Sequence, residues 1–429
     1  MYNLATAYQV ADKLEQAISL YENTLEIQKK KLGPDHPETL RTMHNLAKGY
    51  YVVGKVDEAL ALNEETFEKL KLKIGPNHPD TLSSMNNLAC LYRDTGQLGQ
   101  ALPLLEESLE KMKKLGTEHP EMLTCMSNLA LSYQEAGKLG QALPLFKETL
   151  DMQTAKLGPD HPDTLDSMHN LATAYLAAGK LDKALPLLEQ TLDKRKAKLG
   201  LDDAKTLISM SSLANAYREA GHVAQALPIL KEALEKQKAK LGPEHHDTLV
   251  SLSSLATAYQ AAGQPDKALA LFKQTLEIEK ATLGADNPET LISMVNVANA
   301  YRDAGQINLA LPLLEKTLEK MKAILGPSHP KTLLGMGSLA EAYRAAGKPD
   351  RGVPLLEQTL EKQKATLGLD HPATLGTMSN LAVAYHDTGK PDRAVPLLEQ
   401  TLEKQKATLG LVLGAVRIGR GGLVLFERS

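Results

Sequence analysis

The chain has 429 residues, 43% of them hydrophobic and 24% charged, the balance of a folded protein, and its formal net charge of −3 gives no electrostatic case for binding nucleic acid or an anionic membrane. No apolar run reaches the roughly 20 residues that span a bilayer. The start, MYNLATAYQVADKLEQ, has neither a basic leader nor an apolar signal core, and two cysteines, Cys90 and Cys125, cannot build a disulfide framework, so a cytoplasmic protein is expected.

Self-similarity dominates everything that follows. LGPDHPETLRTMHNLA at residues 32–47 returns as LGPDHPDTLDSMHNLA at 157–172. A tyrosine marks each turn of the pattern: Tyr8, Tyr50, Tyr92, Tyr133, Tyr175, Tyr217, Tyr259, Tyr301, Tyr343 and Tyr385, spaced by 42 residues except for one step of 41 before Tyr133. Ten units therefore tile residues 1–410, the first of them truncated, and residues 411–429 leave the pattern.

The unit at 157–198 shows the elements each repeat predicts. Leu165, Met168, Leu171, Ala172 and Tyr175 follow the i, i+3, i+4 spacing of a helix with one apolar face, here helix A. Ala178-Gly179-Lys180 closes it, because glycine adopts the left-handed conformation that ends helices. A second stripe, Ala184, Leu185, Leu188, Thr191 and Leu192, predicts helix B, starting near Leu181 or Asp182 so that Pro186 falls about one turn in. Lys194 to Lys198 suit its negative dipole end, and Leu199-Gly200 stops it. A lone hairpin cannot bury its apolar side, so neighbours must stack. The fold class expected is all-α: a right-handed α-solenoid of stacked antiparallel helix pairs.

These residues resemble tetratricopeptide repeats, with the small-residue, tyrosine and glycine spacing of NLATAYLAAG. The 42-residue period is closer to the repeats of kinesin light chain, whose pattern is matched by LGTEHPEMLTCMSNLALSYQEAGKLGQALPL at 115–145. The resemblance covers residues 1–410 and is specific for the repeat class rather than for the kinesin function, since similar repeats also form sensor arms of signalling ATPases and standalone scaffolds. It implies a non-enzymatic scaffold that holds an extended peptide or partner segment in a concave groove; the alternatives are a structural spacer or self-assembling array, or a sensor arm.

Seven histidines, His36, His78, His119, His161, His245, His329 and His371, precede helix A, in a slot that is Asp203 or Asn287 elsewhere. Types that interchange in this way cap helix N-termini, and proline generally follows at the first helical position. Helix caps are expected there, and no metal. The repeated tyrosines, and Met85, Met126 and Met168, are expected in the core, and Cys90 and Cys125 as inert thiols. No nucleophile elbow, phosphate-binding loop or zinc signature is present, so neither catalysis nor a cofactor is expected.

One asparagine column precedes Leu-Ala: Asn3, Asn45, Asn87, Asn128, Asn170, Asn296 and Asn380, replaced by Ser212, Ser254 and Ser338. By resemblance these amides face the groove and hydrogen-bond a peptide backbone, which suits a group that both donates and accepts; the alternative is bracing between repeats. Arg93, Arg218, Arg302 and Arg344 follow the tyrosine, often with an acidic residue next. The resemblance places them on the same wall, gripping ligand carboxylates or neutralised by their neighbours. Neither terminus offers the polar cap solenoids generally need, so end-to-end self-association is a further expectation.

Overall fold

The computed structural model describes residues 1–10, 13–53, 55–116, 120–409, 417–419 and 422–424. Its helices fall into two compact units, Met1–Gly158 and Pro159–Ser429. The first holds α1 (Tyr2–Val10), α2 (Leu14–Lys31), α3 (Pro37–Val52), α4 (Val56–Ile74), α5 (Pro79–Asp94), α6 (Leu98–Leu115), α7 (Pro120–Glu135) and α8 (Leu139–Leu157). The second holds α9 (Pro162–Ala177), α10 (Leu181–Leu199), α11 (Ala204–Glu219), α12 (Val223–Leu241), α13 (His246–Ala261) and α14 (Pro265–Thr282). It continues with α15 (Pro288–Asp303), α16 (Ile307–Ile324), α17 (Pro330–Ala345), α18 (Pro349–Thr366), α19 (Pro372–Asp387) and α20 (Pro391–Leu409). Odd-numbered helices are helices A and even-numbered ones helices B. Two short antiparallel strands follow, β1 (Arg417–Gly419) and β2 (Gly422–Val424), with Ile418 opposite Leu423. The segment that leaves the repeat pattern thus forms strands at these six residues, and the rest of 411–429 lies outside the described residues.

Within each unit every helix packs on the next in order, which is the stacked helix-pair solenoid the repeat demands. The two apolar stripes meet between helices: Leu165, Met168, Leu171 and Ala172 of α9 and Ala184, Leu188 and Leu192 of α10 are buried. Met85 and Met126 are buried as expected. Some successive helices A also touch directly, as α5 with α7, α9 with α11, α11 with α13 and α15 with α17.

Local chemistry explains the boundaries. The Nδ1 atoms of His36, His78, His161, His245, His329 and His371 each accept the backbone N–H two residues on, at 3.1–3.2 Å, and Asn287 Oδ1 does the same at 2.9 Å. Asp203 Oδ1 accepts two, from Lys205 and Thr206. The cap role of this column is thus realised; His119 lies outside the described residues. Helix α9 ends as Gly179, at φ 67°, donates to the Leu176 carbonyl while Lys180 donates to that of Tyr175, a paired closure that needs the left-handed residue. Helix α10 begins at Leu181 with Pro186 inside it, where one backbone bond is forfeited.

Candidate interaction face

The asparagine column sits midway along each helix A. In the first unit three amides are taken up between repeats. Asn45 Nδ2 donates to the Tyr2 hydroxyl at 2.6 Å, Asn87 Nδ2 lies 3.5 Å from His44 Nε2, and Asn128 Nδ2 donates to Asn86 Oδ1 at 3.3 Å. In the second unit the side-chain amides of Asn170, Asn296 and Asn380 hydrogen-bond no described residue. The partner column accounts for the difference at two of them. Tyr2, His44 and Asn86 occupy equivalent places one repeat before their asparagines, whereas the place preceding Asn296 is Ser253 and that preceding Asn380 is Gly337. A serine is too short to reach, and a glycine has nothing to offer. Comparing these two columns in the sequence would have separated engaged from unengaged amides. In α15 the bracing shifts to Asn299, whose Nδ2 donates to Ser338 Oγ at 3.2 Å.

The four arginines lie six residues further along the helices A, nearly two turns on, and each has a carboxylate beside it. Arg93 Nε and Nη2 donate to Asp94 Oδ1 at 2.9 and 2.8 Å, and Glu135 of the next repeat lies 3.6 Å away. Arg302 holds Asp303 in the same forked way and donates to Asn299 Oδ1. Arg344 bonds Glu341 at 2.9 Å and approaches Asp387 of the next repeat at 3.8 Å, while Arg218 stands 3.6 Å from Glu219. The guanidinium charge on this face is therefore locally balanced. Nη1 of Arg93 and Nε of Arg218 are buried without a hydrogen-bond partner, so their donor capacity is not used up.

The tyrosines do more than pack. Their rings are partly or fully buried against the core, and hydroxyls of Tyr50, Tyr92, Tyr133, Tyr217, Tyr343 and Tyr385 each donate to a glutamate of the preceding helix B. Burial pushes both Cys90 and Cys125 thiols up to about 11, which keeps them protonated and unreactive at neutral pH. Among the described residues no three His, Cys, Asp or Glu side chains stand close enough to hold a metal. No helix among them is long and apolar enough to cross a membrane.

A cavity of about 290 Å³ opens on the helix-A face of the second unit, between α11, α13 and α15. In the first unit a larger one, about 530 Å³, lies among α3, α4 and α5 beside His44.

The helix pairs, their glycine closures and the tyrosine spacing recur throughout, and the tetratricopeptide repeat profile matches residues 1–71, 46–114, 98–155, 121–197, 205–281, 253–323, 289–351 and 331–407. The chain belongs to the tetratricopeptide repeat family. Such repeats generally mediate protein interactions and are generally non-catalytic scaffolds. No curated protein matches the sequence. Among solved structures, a putative kinesin light chain with nearly identical tetratricopeptide-like repeats from Podosopora anserina is 35% identical, covering 48% of this chain and 98% of that one, with a TM-score of 0.41. BtubC (BKLC) from P. vanneervenii is 18% identical over 58% of this chain and 99% of that one, TM-score 0.42. A Rap protein complexed with Competence and Sporulation Factor is 12% identical over 87% and 99%, TM-score 0.56, a likeness of fold.

Proposed function

We propose that this chain is a non-enzymatic, cytoplasmic scaffold that receives an extended peptide or partner segment along the helix-A face, with the second unit making the backbone contacts. The observation that carries this reading is the set of unengaged amides at Asn170, Asn296 and Asn380, set against the engaged ones at Asn45, Asn87 and Asn128. Asn170 and Asn296 are half-buried and Asn380 is exposed, and a peptide backbone takes up both the donor and the acceptor of such an amide. Arg218, Arg302 and Arg344 border the same strip; being paired already, they orient a ligand more than they attract it. Arg93 does the same in the first unit.

The test is peptide capture by the full chain from an unbiased display library. Replacing Asn170, Asn296 and Asn380 together by alanine abolishes capture in this reading, whereas the Asn45, Asn87 and Asn128 triple variant retains it and unfolds more easily. Capture that survives the first replacement overturns the assignment.

A further inference from the structure

One slot in helix B shows how this fold treats a buried polar residue. Along the repeats it holds Gln153, Arg195, Gln237, Glu279, Met321 and Gln363. Arg195 is 3% exposed, and the chain surrounds it with acceptors. Its Nη1 donates to Ser209 Oγ at 2.6 Å and to the Lys205 carbonyl at 2.9 Å, and its Nη2 is paired with Asp166, which Lys205 Nζ also holds. A buried charge there is tolerated because the repeat supplies its counter-charge.

Glu279 reverses the sign in that slot, and its surroundings do not follow. It is 7% exposed, and its Oε2 is buried with no hydrogen-bond partner. Where Arg195 has Asp166, Glu279 has Val250; where Arg195 has Lys205, Glu279 has Glu289, a like charge; only the serine, Ser293, is kept. Lys331 of α17 is engaged with Glu289. Lys331 and His246 favour the charged form of Glu279, yet among the described residues no cation forms an ion pair with it.

The carboxyl forms part of the 290 Å³ cavity between α11, α13 and α15, a volume suited to one side chain rather than to a whole cofactor. Ser254, in place of the recurring asparagine, and Ser253 before it both line the cavity and leave it room. Leu249, Ile292 and Val250, the last 48% exposed, give it an apolar ledge. Asn296 and Arg218 stand at its walls, and the Arg218 Nε is buried without an acceptor. An acceptor without a cation, an aliphatic ledge and a donor without an acceptor together describe a long basic side chain entering with its backbone carbonyl still attached.

We infer that this cavity is a specificity pocket for a lysine or arginine side chain of the bound segment, with Glu279 receiving the cationic head, Val250 and Ile292 covering the stem, and Arg218 holding the backbone carbonyl. The inference deepens the peptide reading and rests on it for the identity of the partner, not for the chemistry of the pocket. Burial and, less strongly, the neighbouring Glu289 hold the Glu279 carboxyl above the usual range, opposed by Ser293, His246 and Lys331. An arriving cation draws it back to the charged form.

The experiment titrates the full chain with N-acetyl-arginine methylamide and N-acetyl-lysine methylamide, using the citrulline analogue as the uncharged control and saturation-transfer NMR as the readout. The wild type binds both basic probes saturably and ignores citrulline. Glu279→Gln, which installs the residue found at Gln237 and Gln363, weakens both by about tenfold or more. Val250→Lys, which supplies the cation internally, does the same while raising thermal stability. Unchanged binding in Glu279→Gln, equal binding of citrulline, or no binding to the wild type overturns the pocket. Probe binding that persists while the Asn170, Asn296 and Asn380 replacements leave peptide capture untouched removes the groove reading and leaves the pocket standing.

Discussion

Tyr343 donates its hydroxyl proton to Glu315 Oε1 at 2.6 Å, from α17 back to α16 across 28 residues. The same bond joins Tyr50 to Glu22, Tyr92 to Glu64, Tyr217 to Glu189 and Tyr385 to Glu357, so it is a property of the repeat. Lysine stands in place of that glutamate at Lys147, Lys231 and Lys273, and at the last two the contact changes kind: Lys231 Nζ lies 5.7 Å from the centroid of the Tyr259 ring and Lys273 Nζ 4.8 Å from that of Tyr301. A carboxylate takes the hydroxyl, whereas an ammonium takes the ring face. Tyr217→Phe therefore costs about 1 kcal/mol, since it removes a hydrogen bond to a charged acceptor in a partly solvated place. Tyr301→Phe, which keeps the ring under Lys273, costs little. Chemical denaturation of the two variants checks this, and equal losses contradict it.

The same bonds make stability sensitive to alkali. Burial and the paired carboxylates push Tyr50, Tyr92 and Tyr133 up to about 12, and the bond to Glu189, with burial second, does so for Tyr217. A folded value above the unfolded value near 10 means that the neutral phenol is favoured in the native state. The stabilisation is complete below pH 10 and disappears as pH rises from 10 through 12. Tyrosinate absorbance and circular dichroism followed together should move in step over that window. Ionisation completed near pH 10 with the helices intact would show that the bonds do not form.

Local features were legible from the sequence because they are settled within a few residues. The His-Pro caps act two residues ahead, and α9 is closed by bonds from Gly179 and Lys180 to carbonyls three and five residues back. The fate of each asparagine was not legible from its own unit. Whether Asn87 or Asn296 is engaged depends on a residue about one repeat earlier, His44 in one case and Ser253 in the other. The tyrosine–glutamate bond was missed for a related reason: the core-facing spacing of the ring hides the hydroxyl, and its acceptor is 28 residues upstream. The opposite signs of Arg195 and Glu279 are visible in the sequence, but their burial is a property of packing.

Arg195 and Asp166 should respond unequally to replacement. Asp166→Ala leaves a guanidinium that is 3% exposed with neutral acceptors only, and an uncompensated buried charge costs about 3 kcal/mol. Arg195→Gln installs the residue of the neighbouring units, and the Asp166 carboxylate, about a third exposed, keeps Lys205 at 2.6 Å. That variant loses about 1 kcal/mol or less. Urea midpoints for both, and for the double variant, separate the pair from its parts. If Arg195→Gln proves the more damaging of the two, the internal counter-charge argument fails for this slot.

His169 sets an acid limit on the second unit. It lies on α9 next to the Asn170 amide, and its Nδ1 is buried without a partner. Burial, reinforced by the Arg195 charge and opposed by Asp166, pulls its pKa down to about 4. A depressed folded value means that the unfolded chain takes up the proton first, near pH 6.5. The stability that the neutral ring contributes is present above 6.5 and is lost as pH falls through about 4, amounting to about 2–3 kcal/mol at the lower end. Equivalent places elsewhere hold Ser211 and Ser253, so His169→Ser removes the titrating ring while keeping a side chain that the repeat already accommodates. The stability gap between wild type and His169→Ser should therefore shift in favour of the variant as pH falls from 6.5 to 4, and remain constant above 7. A gap independent of pH over that range would mean that the ring reaches solvent and charges freely, and that the packing of α9 around it is looser than its burial indicates.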